Sequence, residues 1–288
     1  MPFNLKTFQT RTLTAGVFVA VMLLGLFVNQ WTFFILFIVI HYFCWKEYQK
    51  LIGLINSSYQ QINSFHKTGI ILLGWCFMMF MATGWSYQIG KAQLHGIGWL
   101  FMLIIAIILL ANEIVLKKQI QLKQIGFSLL GLIYISLPLG LMINLYSIND
   151  NIKCFFPALI IFSIWINDTM AYLVGSFIGK TPLSKISPKK TWEGTIGGII
   201  LSVVVIALML HFVFKIFDIG FSIIIPLISS IAGTFGDLFE SKLKRMANVK
   251  DSGSLLPGHG GFLDRFDSLL FAIPFVWLYL TLLHNFFS

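Results

Sequence analysis

Residues 154–178 read CFFPALIIFSIWINDTMAYLVGSFI, a run in which Asp168 is the one formally charged side chain. A helix needs about 20 apolar residues to cross the hydrocarbon of a bilayer, so this run is long enough to span it. Asp168 stands about ten residues from one end, roughly 15 Å deep at 1.5 Å per residue. An ionisable group at that depth marks a cavity, a relay or a substrate path. The plainer alternative is a structural hydrogen bond to another helix, through Asn167 or Thr169.

Eight more apolar runs of comparable length flank this one, near 12–28, 30–45, 69–86, 95–112, 125–146, 195–217, 219–237 and 268–286. The expected fold class is therefore an all-α, polytopic integral membrane protein with about nine transmembrane helices. Almost nothing separates the first two runs around Asn29 and Gln30, which predicts a tight helical hairpin. Lys6 and Arg11 ahead of the first run imitate a signal peptide. No small-x-small cleavage site follows, and the run leads directly into another span, so it is read as retained.

Composition agrees with this reading. Hydrophobic residues make up 57% of the 288, charged residues 11%, and mean hydropathy is +0.86. A soluble domain carries about 25% charged residues, so water cannot be the main solvent here. The same figures exclude a disordered chain, a disulfide-rich secreted fold and a coiled coil. Cys44, Cys76 and Cys154 lie far apart with no CxxC spacing and read as small hydrophobes.

The net charge is +9. In a soluble chain that would suggest nucleic acid; in a membrane protein, basic loops set orientation and meet anionic head groups. No nucleic-acid partner is expected. Sorting the 20 basic residues by loop puts 17 on one side and three (Lys91, Lys153 and Lys215) on the other. The positive-inside rule then predicts a cytoplasmic N-terminus and an outside C-terminus.

The chain reads as N-terminal membrane helices over residues 1–150, about five spans, followed by a catalytic membrane region over 151–288, about four spans. Two cytoplasmic loops of that region, 179–194 and 238–267, concentrate charge, Gly and Pro. In the second, taken with its approach, Asp237 and Glu240 are three apart, as are Asp264 and Asp267, so on helices each pair shares a face. Two acidic faces at span ends suit a hard cation such as Mg²⁺, which takes a few carboxylates plus water and substrate phosphates. Lys244, Arg245, Lys250 and Arg265 interleave with them as phosphate binding requires. The alternative is that the basic residues obey topology and the acids merely pair with them.

The first loop, GKTPLSKISPKKTWEG, offers Lys189, Lys190 and Thr191 as donors to phosphate oxygens, with Glu193 placed to orient a lysine. Its alternative is a solvated basic loop on anionic lipid. Gly175 to Thr181 mimics a P-loop but is one residue short, is followed by Pro182 and leaves a membrane span rather than a strand.

These residues resemble the CDP-diacylglycerol synthases, or phosphatidate cytidylyltransferases. The family signature S-x-[apolar]-K-R-x4-K-D-x-[small]-x2-[apolar]-P-x-H-G-G-[apolar]-x-D-R-[apolar]-D is filled at every specified position from Ser241 to Asp267. Those positions include Lys244, Arg245, Lys250, Asp251, Gly253, Pro257, His259, Gly260, Gly261, Asp264 and Arg265. The segment Ser187-Pro188-Lys189-Lys190-Thr191 with Glu193 and Gly194 is similar to the family's S-P-K-K-T-x-E-G. The string Asn167, Asp168, Ala171, Tyr172 resembles its N-D-x-x-A-Y. The likeness covers roughly residues 160–270; the first 150 residues carry no diagnostic motif.

The resemblance implies a reaction, CTP plus phosphatidate giving CDP-diacylglycerol and pyrophosphate in phospholipid biosynthesis. It implies Mg²⁺, with a second cation possible, and a homodimer with a polar funnel open to cytoplasm and lipid. On that basis Asp237 and Asp264 are the expected metal ligands, with Asp267 and Asp251 beside them. Lys244, Arg245, Lys250 and Arg265 are expected on the CTP phosphates, and His259 on a phosphate or in the turn. Ser187, Lys189, Lys190, Thr191 and Glu193 are expected at the phosphatidate head group or a nucleotide phosphate, with Asp168 lining the funnel. Two other classes fit less well, a CTP-dependent lipid or polyprenol kinase and a transporter coupled through Asp168. With no transit peptide in view, the expected location is a bacterial cytoplasmic (inner) membrane.

Overall fold

The computed structural model describes residues 5–83, 87–116, 122–146, 154–216, 218–255 and 260–287. Among these, nine long helices follow one another: α1 (Leu5–Phe27), α2 (Gln30–Ile55), α3 (Ser64–Met81), α4 (Leu94–Ala111), α5 (Leu122–Tyr146), α6 (Phe155–Ile178), α7 (Trp192–Phe212), α8 (Gly220–Met246) and α9 (Leu263–Phe287). A short antiparallel hairpin, Gln88–Ile89 against Ala92–Gln93, joins α3 to α4. The protein is an all-α polytopic membrane protein. Seven of the helices, α3 to α9, are long and apolar enough to cross a bilayer. The apolar described part of α1 is the shorter Thr12–Phe27, and α2 carries the polar positions Lys46, Glu47, Gln49 and Lys50 ahead of its last turn.

Each of the nine apolar runs overlaps one of these helices over its described residues, but several ends move. α2 continues ten residues past the run, to Ile55, because its last turns are amphipathic and packed: Trp45, Tyr48, Leu51 and Ile52 are all buried. α3 starts earlier than hydropathy suggests, where the Asn63 side chain accepts the amide of Phe65 at 3.1 Å. α8 runs on to Met246 through a strongly two-faced end, so the first part of the expected 238–267 loop is helical. The tight turn at Asn29 is as expected: its Oδ1 accepts from Trp31 N at 2.8 Å and Thr32 N at 2.9 Å, and Thr32 Oγ1 accepts from Asn29 N at 3.1 Å. This reciprocal cap satisfies amides that a helix start otherwise leaves open.

Two widened, π-type turns have a common cause. Leu132–Ser136 in α5 precedes Pro138 and Gly220–Ile224 in α8 precedes Pro226. Proline brings no amide hydrogen and clashes with the carbonyl four residues back, and a widened turn relieves both.

The chain packs as two compact units, one of Met1–Cys154 with Met246–Arg265, the other of Phe155–Arg245 with Phe266–Ser288. The 246–265 stretch, read from sequence with the region 151–288, thus packs with the N-terminal helices.

In the first unit, buried polar groups tie helices together. Ser136 Oγ is shared by His41 Nε2 at 2.8 Å and Trp45 Nε1 at 3.0 Å, joining α2 to α5. His66 bridges Glu113 at 2.9 Å and Ser128 Oγ at 2.9 Å, and Tyr59 reaches Ser128 at 3.4 Å. In a core poor in water such bonds fix register, since breaking one strands a buried group. α3 and α4 touch backbone to backbone at Gly98, where a Cβ would lie 2.4 Å from Phe80 N.

In the second unit, α6 and α7 approach through small residues, the usual device where lipid provides no hydrophobic drive between helices. A Cβ on Gly198 would lie 2.7 Å from Ala171 Cβ and 2.9 Å from Ala171 Cα. Ser202 Oγ donates across the same seam to Ser163 O at 2.9 Å.

Gly198→Ala is therefore expected to cost about 1–3 kcal/mol by overpacking and to lower Tm in detergent. Gly126→Ala, with nothing within 4 Å of the added carbon, is the control and should not lower it.

Candidate functional site

The loop between α6 and α7 is shaped by its own backbone. Leu183 N donates to Lys190 O at 2.7 Å, Trp192 N to Thr181 O at 2.9 Å, and Lys190 N to Ser187 O at 3.1 Å. Thr191 caps α7, its Oγ1 accepting from Gly194 N at 3.1 Å. Glu193 does not orient a lysine side chain here; its carboxylate accepts the amides of Lys180 and Thr181 at 3.2 Å and closes the base of the loop. The result is a pinned hairpin that presents Lys189, Lys190 and Thr191 at the start of α7.

Those three residues line a cavity of about 380 Å³. α6 contributes Asn167, Asp168 and Tyr172 to its wall, α7 contributes Thr195, and α8 contributes Thr234 and Asp237. Asp168, read as a cavity-lining acid, lines this cavity and is exposed. Beside it Asn167 is 4% exposed, and its Oδ1 finds no hydrogen-bond partner among the described residues. Lys190 forms an ion pair with Asp237, whose other oxygen accepts from Ser241 Oγ at 3.2 Å.

Asp237, Glu240 and Asp267 each bring one carboxylate oxygen to within 4.8 Å of the others. Glu240 is fully buried and Asp267 is 7% exposed. Lys244, one turn on from Glu240, pairs with it, and Asp168 adds a further negative charge near Asp267. Like charges this close repel strongly in a low-dielectric setting. Lys190 and Lys244 bring two positive charges to three carboxylates, so the donor set fits an added hard cation bound through oxygen. The close packing has a steric basis, since a Cβ on Gly236 would lie 2.5 Å from Asp267 O.

Asp264, Lys250, Asp251 and Arg265 lie in the first unit. Asp264, in the first turn of α9, accepts from Gly261 N at 2.7 Å and Ser252 N at 3.0 Å, both on Oδ2. Gly260 adopts φ +81°, and a Cβ there would lie 2.9 Å from that oxygen, so both strain and contact select glycine. Lys250, Asp251 and Arg265 are exposed. Arg245, also exposed, ends α8 in the second unit. His259 and Pro257 lie outside the described residues, as do Lys117, Lys118 and Lys153 of the charge count.

Sequence reasoning passed over Glu47. It is 4% exposed and accepts from Ser252 Oγ at 2.7 Å, Leu263 N at 2.9 Å and Phe262 N at 3.0 Å. Its one sequence signal is an acid between two lysines at the polar end of an apolar run.

The described helices define an integral membrane protein in which a cluster of acids and lysines lies beside a cavity. A model of the cytidylyltransferase family matches residues 9–283. The phosphatidate cytidylyltransferase of Bacillus subtilis (strain 168) is 38% identical over 222 residues, covering 74% of this chain and 77% of that protein. Those of Staphylococcus haemolyticus (strain JCSC1435) and Staphylococcus aureus (strain COL) are 39% and 38% identical over 174 residues, 60% of this chain and 65% of theirs. The chain belongs to the cytidylyltransferase family, as the motif resemblance leads one to expect.

Asp267→Asn is expected to weaken Mn²⁺ binding at least about 10-fold, measured by electron paramagnetic resonance on purified protein. Asp218→Asn, altering a residue that caps the start of α8 by accepting from Phe221 N at 2.8 Å, should leave it unchanged.

Proposed function

We propose that this protein transfers CMP from CTP to phosphatidate, giving CDP-diacylglycerol and pyrophosphate, and so acts as a phosphatidate cytidylyltransferase in phospholipid biosynthesis. The observation that carries the reading is the meeting, around one cavity, of Lys189, Lys190 and Thr191 with Asp168 and Asp237, next to the Asp237–Glu240–Asp267 cluster. The named relatives and the family match support it.

The chemistry needs no strong base. A phosphatidate oxygen, already anionic, attacks the α-phosphorus of CTP in line, and pyrophosphate leaves from the opposite face. The barrier lies in bringing two polyanions together and in charge on the leaving group, so positioned cations and donors are the catalytic devices. Mg²⁺ held by Asp237, Glu240 and Asp267 supplies positive charge to the phosphates when bound. Asp264 remains a candidate ligand, with Asp251 beside it, and a second cation is part of the proposal.

Lys189, Lys190 and Thr191 hold the phosphatidate head group or a nucleotide phosphate, with Ser187 setting the turn that presents Lys190. Lys244, Arg245, Lys250 and Arg265 hold the CTP phosphates and the departing pyrophosphate, and His259 acts in the turn or on a phosphate. Asp168 lines the route to the head group, and Glu193 keeps the loop closed over its base.

All nine helices span the membrane in this reading, with the N-terminus in the cytoplasm and the site at the cytoplasmic boundary. There CTP arrives from water and phosphatidate from the leaflet. The enzyme works as a homodimer in a bacterial cytoplasmic membrane.

Purified protein in detergent should convert labelled CTP to lipid-linked CMP with release of pyrophosphate, and only when phosphatidate and Mg²⁺ are both present. Chelation with EDTA should abolish the conversion. Release of CDP in place of pyrophosphate would assign the chain to phosphoryl transfer instead. Asp264→Asn keeps an oxygen for the amides of Ser252 and Gly261 while losing the charge, so Tm should hold as turnover falls at least about 100-fold. Near-normal turnover in that variant would remove Asp264 from the metal assignment.

A further inference from the structure

We propose that Glu47, from the half of the chain without a signature motif, is a positioning residue for the transfer reaction and holds residues 252–253 and 261–264 in their working arrangement. The proposal rests on the reading of the chain as a phosphatidate cytidylyltransferase.

Both oxygens of Glu47 are engaged. Oε1 accepts from Phe262 N at 3.0 Å, and Oε2 accepts from Leu263 N at 2.9 Å and Ser252 Oγ at 2.7 Å. Phe262 immediately precedes α9 and Leu263 opens it, where helix amides have no partner of their own, and an anion is favoured at that end by the helix dipole. The cap therefore comes from a residue 216 positions away rather than from a neighbouring Ser or Asp. Phe43, one turn earlier on the same face of α2, packs on Phe262 with ring centroids 4.8 Å apart.

The segment is shaped around this carboxylate. A Cβ on Gly253 would lie 2.1 Å from Oε1, and one on Gly261 would lie 2.3 Å from Oε2. Ser252 is gripped twice, by its hydroxyl on Glu47 and by its amide on Asp264 Oδ2 at 3.0 Å. The two carboxylates are thus linked through Ser252, so the position of Asp264 depends on Glu47 keeping its donors. Glutamine cannot replace it: whichever oxygen the amide NH₂ took the place of, it would face a backbone N–H, that of Phe262 or that of Leu263, leaving donor against donor. Aspartate is one methylene short.

A role confined to stability would lower Tm and leave the turnover of folded protein alone. A positioning role predicts that Glu47→Gln lowers kcat about 10- to 100-fold, the range for loss of a supporting partner behind a reacting site, with KM for CTP unchanged. Amide exchange followed by mass spectrometry should rise in 252–265 and stay at wild-type levels in α3 and α7. Ser252→Ala, which removes the hydroxyl donor alone, should lower kcat less. The double variant should be no worse than Glu47→Gln, because the two changes break one interaction.

Wild-type kcat in Glu47→Gln overturns the proposal, and so does a lowered Tm with kcat intact. If Glu47→Gln does not fold, Ser252→Ala decides, and wild-type kcat there overturns it. A wild-type chain that releases no pyrophosphate overturns the transferase reading and the catalytic part of this proposal. The exchange contrast then still decides whether Glu47 holds the loop.

Discussion

Removing a carboxylate from water costs several kcal/mol unless donors or opposite charges replace the lost hydration. In a protein where 57% of residues are hydrophobic and most helices suit a lipid surroundings, that cost decides where acids can sit. Each strongly buried acid described here has a named partner. Glu240 pairs with Lys244, Glu113 with His66, and Glu47 takes three hydrogen bonds. Asp267, buried among other acids, accepts from Ser268 N at 2.6 Å. Two of these partnerships, Glu113 with His66 and Glu47 with Ser252, Phe262 and Leu263, join distant stretches of sequence, and the signature segment is arranged around the second.

Small residues make the partnerships geometrically possible. Gly198 lets α7 lie against α6, where the cavity opens, and Gly236 lets α8 approach the Asp267 backbone. In the signature segment Gly253 and Gly261 leave room for the Glu47 carboxylate, and Gly260 supplies a left-handed backbone beside Asp264. What a motif records as "small" or "G-G" is thus the footprint of two carboxylates, one of them outside the motif.

Much of the site was legible before any coordinates, because phosphate and cation chemistry uses few residue types and they stand out in a chain with 11% charged residues. Lys189, Lys190, Thr191 and Asp237 stand out by type and by position at span ends, Asp168 by its charge within a span, and the structure brings all five to one cavity. Glu193 was marked as well, but its role in closing the loop could not be read: a carboxylate's partner there is a backbone amide, and every residue type offers one. Glu240 was visible as a neighbour of Asp237 on a helix face. Glu47 was not, since its donors lie 205 to 216 residues away and nothing local distinguishes it from an ordinary interfacial acid.

The sequence by itself determined that this is an all-α membrane chain with its chemistry in two charged stretches, because hydropathy and residue type are local properties that survive without coordinates. Helix ends were blurred for the same reason: hydropathy sees the lipid-facing turns and misses amphipathic ends such as those of α2 and α8. Only the tertiary structure decided which carboxylates cluster and which hold loops. That choice depends on which donors come within about 3 Å, a distance set by the packing of helices far apart along the chain.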